Sequence, residues 1–169
     1  MLCGPDATYR LYAETIYPFA ITMKIITREE AGAWCRKHGL GLTDQGLPAI
    51  RGLPDATDFA IPTDAGQGTA LAREQIRSLA IDCSCLVWLD DWSVWPSGQW
   101  QHLFDRIRLS YGCDDTLIKR PAHLIDKTDI DAAVSIGVYA ILMLWNCYVI
   151  TDKGAWLFYS HDECGRIKR

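Results

Sequence analysis

Two acidic pairs, Asp90–Asp91 and Asp162–Glu163, each close a stretch of apolar and aromatic residues, and the second pair directly follows His161. Carboxylates beside a histidine can work as general acid and base, or hold a hard cation. If both pairs end strands of one sheet, they meet at one edge of it, beside Trp92 and Trp95. The same residues also have plainer uses, since aspartates cap helix and turn amides and a terminal glutamate is usually solvated. No Gly-rich phosphate loop or metal motif accompanies them.

Other side chains offer weaker chemistry. Cys113 with His123, or Ser160 with His161, would supply a nucleophile and a base, but a third group must orient that base and no signature surrounds either pair. Cys35 and His38, His161 and Cys164, and Cys83 and Cys85 have short spacings, yet lack the tight turn of a zinc knuckle. The expectation is therefore no metal and no cofactor. Arg106, Arg108, Lys119, Arg120 and His123 form a loose basic group that either receives an anion or makes a solvated face.

The elements that must position these residues centre on residues 83–112. There "CLVWLD" reads as a strand covered on both faces, and Pro96 and Ser97 break the chain. A helix then follows with Trp100, Leu103, Phe104, Ile107 and Tyr111 as its core stripe, ending at Gly112. Upstream, residues 9–26 read as an edge strand or two extended pieces interrupted by Pro18. Thr27 and Glu30 have capping-box spacing for a helix that turns Ala31, Trp34 and Cys35 inward. Residues 39–68 hold six glycines and three prolines and read as a long loop, functional or merely inserted, with one short strand at 58–61. A helix over 69–80 stripes Ala72, Ile76 and Leu79.

Downstream, 122–125 is a short strand, and Thr128 and Asp131 cap an apolar helix reaching Trp145. Strands at 147–150 and 155–160 form a hairpin around "TDKG", and the tail from His161 is polar. Residues 132–151 carry no charge and approach the length of a membrane span, but Ser135, Gly137 and Asn146 and a β-rich end favour a buried helix running into a buried strand. The order of elements predicts an α/β or α+β fold: a single domain with a mixed β-sheet packed with helices and a C-terminal β-hairpin.

Composition bounds the function. The 169 residues suffice for one domain with its own core, and 49% hydrophobic against 22% charged excludes a disordered chain. A net charge of −4 gives no footprint for nucleic acid. Seven cysteines, several within apolar runs, and an opening "MLCGPDATYR" that lacks the form of a signal peptide predict reduced thiols in a cytoplasmic protein without a membrane span.

The segments "LDDWSVWPSGQWQHLFDRIRLSYG", "PAHLI" and "FYSHDE" resemble a family of uncharacterised bacterial proteins. In that family a W-x-x-W-P-S segment precedes a helix ending in R-x-S-Y-G, then P-G-H-L-F, and the last strand ends in S-H-D-E. The resemblance spans roughly residues 84–163, with Ala122 where the family pattern has glycine. It marks Trp92, Trp95, Pro96, Ser97, Arg108, Tyr111, Gly112, His123, Ser160, His161, Asp162 and Glu163. Such proteins look like immunity partners of secreted antibacterial toxins. With the absence of a catalytic signature, the mild acidity, the long Gly/Pro loop and the aromatic turn, this favours a cytoplasmic, non-enzymatic protein-binding module that neutralises a toxin, with Asp91, Trp92, Trp95, His161, Asp162 and Glu163 facing the protein partner. A small enzyme using Asp91, His161, Asp162 and Glu163 is the alternative, and a metal-bound structural protein comes third.

Overall fold

The computed structural model describes residues 23–50, 53–91 and 99–169, the last stretch beginning with two residues described by their backbone alone. Of the edge strand or two extended pieces expected over residues 9–26, residues 9–22 lie outside the described residues, as do Trp92, Trp95, Pro96 and Ser97.

Strand β3 (Cys85–Asp90) occupies the middle of the sheet because every residue before Asp90 is buried and apolar, which suits a strand covered on both faces. It is flanked by β4 (Ala122–Ile125) and β5 (Asn146–Thr151). The remaining strands are β1 (Met23–Ile26), β2 (Thr57–Ala60), β6 (Trp156–Tyr159) and β7 (Cys164–Lys168). Their order is β1-β4-β3-β5-β6-β7-β2, and every pairing is antiparallel. The sheet with its helices places the fold in the α+β class. The β5–β6 hairpin turns through Thr151 to Ala155, whose ends exchange a backbone bond of 2.8 Å, with Gly154 at a φ of 84°.

Alternation along the strands builds two cores. One face presents Cys85, Val87, Leu89, Cys147, Val149, Leu157 and Tyr159 to helices α2 (Ala65–Leu79), α3 (Gln99–Ser110) and α4 (Ile130–Leu142). The other presents Leu86, Trp88, Tyr148, Ile150, Trp156 and Phe158 to helix α1 (Arg28–Lys37) and to Leu40 and Ile50 of the segment after it. The long Gly/Pro segment is thus partly a cover for the sheet. The capping box is formed: Thr27 Oγ1 accepts from the Glu30 N–H at 3.2 Å, and Glu30 Oε2 from the Thr27 N–H at 2.9 Å.

Four local expectations shift. Helix α2 begins at Ala65, because Asp64 accepts the Gln67 N–H at 2.8 Å and caps it. Asp126, not Thr128, caps the short 3-10 turn (Lys127–Asp129) that leads into α4. The tail is not free, since Gly165 and Ile167 alternate inward and make β7 the bridge between β6 and β2. Among the described side chains of α3 the buried ones are Phe104 and Arg108, while Leu103 and Ile107 are 48% and 41% exposed; the side chain of Trp100, the first residue of the expected stripe, lies outside the described residues. No helix among the described residues is long and apolar enough to cross a membrane, and α4 lies buried against α2 and the sheet.

Candidate acidic site at the sheet end

The strands β3 and β6 run in the same direction and finish at the same end of the sheet, with the start of β5 between them. Asp90 pairs with Asn146 in the β3–β5 register, and Asp91 then leaves the strand with a φ of 48°. Aspartate is among the few residues that enter this left-handed region at modest cost. Beyond β6 the chain reverses through Ser160–Glu163, closed by a 2.8 Å bond from the Ser160 N–H to the Cys164 carbonyl. Glu163 carries the second positive φ, 58°, and its carbonyl accepts the Ile61 N–H at 2.8 Å.

Asn146 joins the two ends. Its Oδ1 accepts the His161 backbone N–H at 2.9 Å and lies 3.0 Å from His161 Nδ1. A backbone N–H can only donate, so the Asn146 atom in this contact is the oxygen, and Nδ1 must carry hydrogen. Asp91 Oδ2 stands 3.5 Å from Nδ1, and Asp162 Oδ1 3.2 Å from Nε2. A protonated ring would form ion pairs on both sides. Asp90 takes a separate role: Arg28, the first residue of α1, donates to it at 3.1 Å while lying 5.9 Å from the centroid of the Trp88 ring.

The structure therefore brings Asp91, His161 and Asp162 together, places Glu163 in the same turn through its backbone, and leaves Trp92 and Trp95 outside the described residues. Two residues that complete the arrangement, Asn146 and Arg28, were not among the sequence candidates. Asn146 had a signal, a single amide at the edge of a long uncharged apolar run. Arg28 had none, because its contact spans 62 positions in sequence.

The remaining candidates separate. Ser160 Oγ accepts the Asp162 N–H at 3.2 Å and so helps hold the turn. The loose basic group does not form one solvated face. Arg108 and His123 are fully buried, and Arg120 pairs with Asp115 at 2.7 Å, where Lys119 lies at 3.6 Å. Burial pushes the thiols of Cys35 and Cys85 up to about 11 and about 12, and that of Cys147 upward as well, which keeps them as inert core groups. Among the described residues no group of three or more His, Cys, Asp or Glu is placed to hold a metal ion. His38 Nδ1 instead contacts the Asp152 carbonyl at 2.9 Å, tying the end of α1 to the hairpin turn.

No family model, curated protein or solved structure matches the chain.

Proposed function

We propose that the chain is a non-enzymatic protein-binding module of the immunity type, a cytoplasmic bacterial protein whose acidic sheet end engages a basic surface of an antibacterial toxin. The observation that carries this reading is the Asp91–His161–Asp162 group, whose carboxylates are 42% and 74% exposed while Asn146 fixes the histidine between them. Water-facing carboxylates at fixed positions steer a basic partner and set its register. The net charge of −4 favours the same encounter.

The alternative, a small enzyme using Asp91, His161, Asp162 and Glu163, draws on the short Asp91–His161 distance. General acid–base work needs a ring nitrogen turned toward substrate. Here Asn146 takes Nδ1 and Asp162 faces Nε2, so the arrangement suits binding better than proton transfer.

The test is a calorimetric titration with the protein encoded by the adjacent gene, repeated at low and high salt. Binding should weaken as salt screens exposed charges over about 8–10 Å. An absence of binding, or binding indifferent to salt, would remove this reading.

A further inference from the structure

Both ring nitrogens of His161 face acceptors. Nδ1 lies 3.0 Å from Asn146 Oδ1, the oxygen that also takes the His161 backbone N–H, and 3.5 Å from Asp91 Oδ2. Nε2 lies 3.2 Å from Asp162 Oδ1. A neutral imidazole carries one hydrogen and one bare lone pair. With that hydrogen on Nδ1, the bare nitrogen is left against a carboxylate oxygen, and the two repel. A second hydrogen turns the same contact into an ion pair. That hydrogen belongs to the ring rather than to Asp162, because imidazole is the stronger base of the two. The arrangement is thus complete only with the imidazolium.

The surroundings let this proton come and go. The ring is only partly buried and the Asp162 side chain is exposed, so water reaches both. Of the neighbouring groups, Asn146 from β5 is neutral, and Asp90, before Asp91, is answered by Arg28 at 3.1 Å. Glu163 follows in the same turn. Ser160 Oγ accepts the Asp162 N–H at 3.2 Å, which holds the Asp162 backbone in place while its side chain turns.

We propose that His161 is a proton-operated latch on this acidic end. With its proton, the ring holds Asp91 and Asp162 to itself and cancels one of their two negative charges. Without it, Nε2 repels the Asp162 carboxylate, which swings out and presents its full charge. The use of the latch rests on the reading of this end as a docking surface for a basic protein. There the partner's ammonium or guanidinium group and the His161 proton compete for the same carboxylates. Partner affinity therefore rises with pH across the range in which imidazole changes charge, about 5 to 8.

The latch is read first on the free protein by NMR, following the His161 ring nitrogen-15 signals and the Asp162 carboxyl carbon-13 signal between about pH 5 and 8. The two should move in one shared transition, and in His161→Gln the Asp162 signal should stay flat. A flat Asp162 signal in wild type, or equal movement in the variant, overturns the latch. Calorimetric titration with the protein encoded by the adjacent gene follows, at both ends of that range and at constant salt. Wild type should bind severalfold more tightly at the upper end, a difference that His161→Gln should abolish. Equal wild-type affinity at both ends, or the same difference in the variant, overturns the competition. No binding at either end, with the shared transition present, overturns the docking reading and leaves the latch standing.

Discussion

Asn146 is 5% exposed and its amide oxygen serves both the backbone and the ring of His161, so the turn after β6 depends on it. Asn146→Ala leaves a His161 N–H without its acceptor, and the expected loss in urea unfolding is ~1–3 kcal/mol. The carboxylates beside it matter less to stability, since exposed pairs contribute ~0.2–1 kcal/mol. His123 makes a different prediction. Its pKa falls from 6.5 to about 3 on folding, so between those values the unfolded chain binds more protons. Stability should be independent of this ring above about pH 6.5 and decline as pH falls toward 3, by up to ~1.4 kcal/mol per unit. Comparing pH 7 with pH 5 in wild type and His123→Phe checks this, and an equal loss in both would contradict it. Of these residues the sequence made His161 and its acidic neighbours visible because they follow apolar strands. His123 read as part of a basic face, because the "PAHLI" segment does not reveal that both sides of its strand are covered.

At the scale of elements, α2 and α4 approach closely because glycine stands at the crossing. A Cβ at Gly137 would run into Cδ1 of Ile76. Gly137→Ala should therefore fail to deliver the ~1 kcal/mol that alanine gains over glycine within a helix, because Ile76 Cδ1 must be pushed aside, and Ile76→Val, which deletes that carbon, should restore the gain in a double-mutant cycle. Gly165 on β7 holds an analogous place. The Phe59 ring from the edge strand β2 lies over it and meets Tyr159 edge-on at 6.2 Å. Helix α1, β3 and the β5–β6 hairpin were legible from capping chemistry, an unbroken apolar run and a turn signal. Strand β7 was not, since "CGRIK" buries only a glycine and an isoleucine and its pattern is carried by the absence of a side chain. The α3 stripe was displaced for a related reason. An arginine buried by Asp105 and the Arg120 carbonyl occupies the face that hydrophobicity alone would give to Leu103 and Ile107.

Across the molecule, the antiparallel sheet separates two kinds of feature. The acidic group sits at the end where β3 and β6 finish, and a small, mostly apolar cavity lies between α3, α4 and β4. Antiparallel order is what delivers Asp91 and His161 to the same end: with β5 between them, β3 and β6 must run the same way. The sequence supplied the two strand ends, and only the strand order could show that they meet. The claim that this end is a docking surface is tested most directly by the double variant Asp91→Asn with Asp162→Lys, titrated against the protein encoded by the adjacent gene and unfolded thermally in parallel. The account predicts a melting temperature close to wild type and binding weakened about thirtyfold or more, equivalent to ~2 kcal/mol. A folded double variant that binds the partner as tightly as wild type would contradict it.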